Sequence, residues 1–106
     1  MDEEQIVREI NSILRQLVDK YKPLKVILFG SAARGDYHEV NDLDFLIIKE
    51  DVPSRGLDRM RALDDLVDRN MAADMLVYRP EEFESRLEMG DPFLKSIVEE
   101  GRVLYG

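Results

Sequence analysis

LFGSAARGDYHEVNDLDFLII, residues 28 to 48, is the stretch on which the fold turns. An apolar strand stops at Gly30, a Gly-Ser turn follows, and two alternating acids, Asp42 and Asp44, stand at the mouth of a second apolar run, Phe45 to Ile48. Side chains alternate faces along a strand, so residues two apart share a face and lie roughly 6 to 7 Å apart. Two carboxylates so placed can hold two metal ions. They sit where a buried strand meets solvent, which suits chemistry better than solubility.

Working outward, Ile6, Ile10, Ile13, Leu14, Leu17, Val18 and Tyr21 recur at helical spacing, which predicts one amphipathic helix over Glu3 to Tyr21, ending before Pro23. Lys25 to Phe29 reads as a short buried strand, and Ser31 as the N-cap of a short helix after it. Leu43 to Lys49 is the second strand. Ser54 is the capping candidate for a second helix marked by Leu57, Met60, Leu63, Leu66, Val67 and Met71, whose two methionines are read as core. Ala72 to Tyr78 is a third strand, interrupted by Asp74. Pro80 and Pro92 each open a helix as first-turn prolines. Phe83 and Leu87 face inward from the first of these helices, and Phe93, Leu94, Ile97 and Val98 mark the second. Gly101 closes it, leaving Arg102 to Tyr105 as an edge strand. Strands alternating with helices predict an α+β fold with α/β-like alternation, a small sheet flanked by helices, without fixing strand order.

At 106 residues the chain fits one domain, residues 1–106. A hydrophobic fraction of 44% with no long apolar run predicts a soluble protein that does not enter a membrane. The acidic start MDEEQIVREI is no leader, and zero cysteines exclude a disulfide scaffold and a thiolate zinc site, so the cytoplasm is the expected compartment. A net charge of −8 argues against a nucleic-acid partner held by bulk attraction. Free nucleotide is different, because a turn, a few basic residues and a divalent ion can hold a small polyanion on an acidic surface.

Asp74 is an acid inside the apolar strand AADMLVY, where a buried charge is costly unless paired or bound to metal. Alone it would be read as a solvated or turn-capping residue, and Asp42 alone as a turn residue after Asn41. Three acids on strands around a Gly-Ser turn read differently together. A P-loop is excluded by the missing Gly-Lys-Ser/Thr, and an EF-hand by Phe45 to Ile48 where ligands would be needed. A haloacid dehalogenase-like phosphatase has its Asp-x-Asp after the strand, whereas here the apolar run follows the acids.

With those residues in view, the chain resembles a minimal nucleotidyltransferase of the DNA polymerase beta superfamily. The resemblance rests on Gly30 and Ser31 after a strand, Asp42 and Asp44 entering the next, and Asp74 on a later one. The extended turn GSxARG also appears, as Gly30, Ser31, Ala33, Arg34 and Gly35, and the ending FLKSIVEEGRVLYG is similar to the tails of many such small proteins.

The resemblance implies a nucleotidyltransferase fold and an enzyme that moves a nucleoside monophosphate, AMP from ATP, to a hydroxyl while pyrophosphate leaves. It implies Asp42, Asp44 and Asp74 as catalytic residues holding two Mg2+ ions, with Mn2+ a substitute, and Gly30, Ser31 and Arg34 as nucleotide-binding residues. Arg34 reads equally well as a loop-fixing ion pair. His38 is a solvent-exposed loop residue, and Lys49, Arg55 and Arg59 are candidates for triphosphate contact only by their proximity in sequence. Larger superfamily members carry a further helical domain, so the acceptor surface is expected from a partner. The resemblance implies a helical partner of the HEPN class, for which the chain would be the antitoxin. The competing reading is a non-catalytic antitoxin or binding module that neutralises such a partner by contact.

Overall fold

A computed structural model describes residues 1–106. Asp2 starts the first helix: its carboxylate accepts the Gln5 N–H at 2.8 Å, and the Gln5 side-chain oxygen accepts the Asp2 N–H at 2.9 Å. That reciprocal cap satisfies two donors with no partner inside the helix. Helix α1 spans Glu3–Gln16 and buries Ile6, Ile10 and Ile13. The predicted continuation to Tyr21 is present, but as a wide π turn over Leu17–Tyr21, which ends where Lys22 adopts φ 56° and donates to the Leu17 carbonyl at 2.9 Å.

Four strands form one mixed sheet: β1 (Lys25–Phe29), β2 (Leu43–Ile48), β3 (Ala73–Tyr78) and β4 (Arg102–Tyr105), in the order β3-β2-β1-β4. β1 runs antiparallel to β2 and to β4. β2 and β3 are parallel, with α2 (Gly56–Leu66) between them in sequence, the crossover a parallel pair requires. Asp74 does not interrupt β3, which is continuous through it.

Strand alternation divides the core in two. Val26, Leu28, Leu43, Phe45, Ile47, Met75 and Val77 meet Ile6, Ile10, Ile13 and Leu17 of the first helix and Leu63 of α2. On the other face, Ile27, Leu46 and Ile48 meet Leu94 and Ile97 of α4 (Pro92–Glu100), with Phe83 and Leu87 of α3 (Pro80–Glu88) packed alongside. Central β2 is covered on both sides, and so Phe45 to Ile48 are all apolar instead of alternating. The result is the expected α+β architecture. No helix is long and apolar enough to cross a membrane.

Helix α2 departs from its predicted bounds. It starts at Gly56 after Arg55, with no side-chain cap, so Ser54 does not cap it. It stops at Leu66, leaving Met71 outside, partly buried against the core; Met60 is also only half-buried. The cause lies in α1. Gln16 bonds both the carbonyl and the N–H of Asp68, each at 2.7 Å, and the buried Glu9 carboxylate accepts the N–H groups of Asn70 and Met71. These bonds satisfy the 68–71 backbone without a helix, so propensity is overridden by tertiary contacts.

Arg59 of α2 is 4% exposed. It donates to the Val77 carbonyl at 2.9 Å, to the Pro53 carbonyl, and to both carboxylate oxygens of Glu82 at 2.8 and 3.2 Å. Glu82 also accepts the Arg79 N–H at 2.7 Å at the start of α3. The hydrogen bond from Arg59 is the main cause holding the Glu82 carboxyl below its ordinary range. A depressed carboxyl contributes stability that is present above the unfolded value of about 4.5 and lost as pH falls through the folded one. Glu82→Gln is therefore expected to cost about 2 kcal/mol at neutral pH, from weakened charge-assisted bonds to a buried guanidinium. Urea melts at about pH 7 and pH 3 check this: the deficit should shrink in acid, and an equal deficit at both pH values would refute it.

Candidate active site

Gly30 closes β1 with φ 76° and Gly35 ends the following turn with φ 81°, so only four residues separate two left-handed positions. The predicted short helix at Ser31 does not form, because that span is too short to propagate one. It is a compact turn instead: Ala33 and Arg34 donate to the Gly30 carbonyl at 3.1 and 3.3 Å, and Asp36 donates to the Ser31 carbonyl at 3.1 Å. The N–H groups of Ser31 and Ala32 donate to none of these carbonyls. Ser31 is thus not a helix cap, but it presents a hydroxyl and a free N–H at the end of β1, beside the buried Ala32, an arrangement that suits an anion.

Asp44 lies beside this turn. It pairs with Phe29 across β1 and with Asp74 across β3, so the register sets the two acids side by side. Asp42, two residues before Asp44, stands just outside β2, which begins at Leu43. Asp44 and Asp74 lie on the strand face that carries Ile27, Leu46 and Ile48, with Asp42 at its mouth. Gly30 is where the turn meets them: a Cβ on this residue would fall well inside contact distance of Asp44 Oδ2 and 3.2 Å from its Cγ.

Burial falls differently among the acids than the apolar context of Asp74 suggests. Asp74 and Asp42 are exposed, whereas Asp44 is half-buried. Asp74 escapes because it begins an edge strand and faces solvent. Burial raises the Asp44 carboxyl above its ordinary value, and the negative charges of Asp74 and then Asp42 raise it further, while Arg34 lowers it. As the side chains stand, no three acidic groups converge on one point at ligand distance.

Arg34 is bound to Asp36 at 3.4 Å, as a loop-fixing pair would be, while its charge reaches Asp44. His38 lies exposed in a short 3-10 turn, Tyr37–Glu39. The neighbouring cations turn away: Lys49 lies over the Tyr21 ring at 5.1 Å, at the far end of β2, and Arg59 is committed to Val77 and Glu82. Sequence reasoning read past Glu9, which is buried on α1 and anchors Asn70 and Met71 just before β3. An acid at a core position of an amphipathic helix was the available signal. A cleft of about 420 Å3 lined by Gly56, Arg59, Met60, Leu76, Tyr78 and Glu82 lies between α2 and α3, with Leu76 two residues along β3 from Asp74.

Comparison with known proteins agrees with this geometry. A family model described as a nucleotidyltransferase domain matches residues 7–105. A protein of Methanocaldococcus jannaschii named "putative protein adenylyltransferase" is 34% identical over 106 residues, which cover 99% of this chain and 100% of that protein. A second protein of that organism with the same description is 36% identical over 69 residues, 63% of this chain and 47% of its own length. Among solved structures, that of "a putative nucleotidyltransferase from Sulfolobus solfataricus" is similar with a TM-score of 0.54 and 25% identity, covering 80% of this chain and 82% of that one. With Gly-Ser, Asp-x-Asp and the third acid gathered at one end of such a sheet, the chain belongs to the nucleotidyltransferase domain family.

Proposed function

We propose that this nucleotidyltransferase moves an adenylyl group from ATP to a hydroxyl of a partner protein. The observation that carries the reading is the register of Asp44 with Asp74, which sets two acids side by side next to the Gly30–Gly35 turn that presents Ser31. The names of the two archaeal relatives support the adenylyl group and the protein acceptor. The GSxARG turn and FLKSIVEEGRVLYG tail support a helical partner of the HEPN class and an antitoxin role, by resemblance.

The three carboxylates fit magnesium or manganese. They are hard oxygen donors, and the burial and then the repulsion that raise the Asp44 carboxyl are what a divalent cation would offset. Asp42, Asp44 and Asp74 would hold the ions, which when bound supply charge neutralisation at the reacting phosphate. The chain's own groups account for the rest. Ser31 holds the outer phosphates, and Gly30 lets Asp44 approach the turn. Asp74, exposed on the edge strand, faces an incoming hydroxyl and accepts its proton. The hydroxyl oxygen bonds to the α-phosphorus, and the bond from that phosphorus to pyrophosphate breaks.

Incubation with a helical protein of the HEPN class, magnesium and each nucleoside triphosphate, followed by intact mass measurement, tests the proposal. One adenylyl increment on the partner is expected from ATP. Neutralisation of the partner without any mass change would favour the contact-blocking reading.

Ser31→Ala is a finer test. Loss of one hydroxyl bond to an ionised phosphate is expected to weaken ATP by about tenfold and AMP by much less, since the contact is placed on the outer phosphates. Calorimetry with both nucleotides decides it, and equal losses would move Ser31 off the outer phosphates.

A further inference from the structure

We propose that Phe93, seated on Phe29, is the platform on which the nucleobase stacks, an inference that rests on the nucleotide-transfer reading above. Phe29 is the last residue of β1, pairs with Asp44, and precedes Gly30. Phe93, in the first turn of α4, meets its ring edge-on at a centroid distance of 5.7 Å and an interplanar angle of 86°. The sheet face therefore reads in order Phe93, Phe29, Asp44, Asp74, with the phosphate-binding turn springing from the end of Phe29. A nucleotide whose α-phosphate lies at the acids must place its pyrophosphate, the incoming acceptor and its base in three directions. The Asp74 flank is the exposed edge strand, where an acceptor must enter. The turn beyond Phe29 takes the pyrophosphate, in line with that acceptor, so ribose and base leave the α-phosphorus across this axis, over the sheet face on which Phe93 of α4 stands.

Phe93 is 45% exposed, although Leu94 and Ile97 beside it are 0% and 2% exposed and already fill the core under α4. The ring is not needed to close that core. Its exposed half is apolar surface beside a strongly acidic site, in a chain of net charge −8. The acids with their ions and the Ser31 turn serve the phosphates, so attraction to the base is the contribution that none of those groups supplies. Base-aromatic stacking supplies it without reading hydrogen-bond edges, since every base has a π face. The platform should therefore prefer purines to pyrimidines by overlap area and separate ATP from GTP only weakly. The cleft at Arg59 does not serve, because the guanidinium that lines it is committed to Glu82 and the Val77 carbonyl.

The chain contains no tryptophan, so Phe93→Trp introduces a single reporter. Full-length wild type, Phe93→Leu and Phe93→Trp are titrated in manganese with ATP, CTP and inorganic tripolyphosphate. Phe93→Leu, which keeps apolar bulk, is expected to weaken ATP about tenfold and leave tripolyphosphate unchanged. Phe93→Trp should bind ATP as tightly as wild type, with emission quenched by ATP and not by tripolyphosphate. Unchanged ATP affinity in Phe93→Leu, equal losses for ATP and tripolyphosphate, or emission indifferent to ATP would overturn the platform. Wild type that binds ATP in this way yet transfers nothing to a protein sinks the transfer reading and leaves the platform standing. Wild type that binds no ATP overturns both.

Discussion

Asp44→Asn is expected to lower nucleotidyl transfer by roughly a thousandfold or more while making the metal-free protein more stable at neutral pH. Charge stabilisation by a carboxylate-held ion amounts to several kcal/mol, at about 1.4 kcal/mol per decade of rate. The stability gain follows from the raised carboxyl. Burial, then Asp74, then Asp42, disfavour the ionised form in the folded state. An acid raised on folding contributes stability that is complete below its unfolded value, near 3.8, and lost as pH rises through the folded one. Above that window the wild type carries a penalty that asparagine does not. In chelator, the variant should melt at the wild-type temperature near pH 3 and above it near pH 7. A variant that melts lower at pH 7 would show that Asp44 is a structural acid, and one that transfers at the wild-type rate would remove it from the chemistry. The two outcomes separate because a residue held under repulsion for function trades stability for activity.

The acids were legible because strand alternation is short-ranged. Asp42 and Asp44 stand together at the mouth of β2 whatever lies beside them, and the apolar run Phe45 to Ile48 marks β2 as central. Asp74 was legible as a strand residue and misread in its surroundings: an apolar context suggests burial, but β3 is an edge strand, and edge position depends on strand order. Strand order itself was not legible. The pairing of β4 with β1 depends on Gly101, where a Cβ would lie 2.7 Å from Ile27 Cγ2 and 3.1 Å from the Leu28 carbonyl. Gly101 has φ −71°, so glycine is needed there for space and not for a left-handed helix end.

The same limit explains the misplaced end of α2. Periodicity carries the helix towards Met71, yet Gln16 and Glu9, more than fifty residues earlier, take the backbone bonds that would have extended it. Arg59 fails for the converse reason. A cation near the site in sequence looks available, and only the three-dimensional fold shows that Glu82 and two carbonyls already claim it. Local pattern gives the elements and the acids, whereas partners supplied from distant segments decide which polar groups remain free for a ligand.

Gly30→Ala is expected to lower transfer by about a hundredfold for a stability cost of only about 1 to 2 kcal/mol. Two separate effects arise from the added methyl. At φ 76° an L side chain is strained by roughly 1 to 2 kcal/mol. The methyl also collides with Asp44 Oδ2, with Cγ at 3.2 Å. The carboxylate sits at the end of a short side chain and can rotate away, so the collision costs little folding energy. Rotation, however, moves the charge that the site depends on, and a displacement near 1 Å is enough for about a hundredfold in rate. Combining the substitution with Asp44→Ala separates the effects. In that background the methyl meets no carboxylate, so only the backbone strain should remain, and the rate should fall no further than Asp44→Ala alone. Rates and urea melts of the two single variants and the double variant form the cycle. Additive losses in rate would mean that Gly30 serves the phosphates directly and not by giving Asp44 room. Full activity in Gly30→Ala would show that the approach of turn to carboxylate is incidental to catalysis.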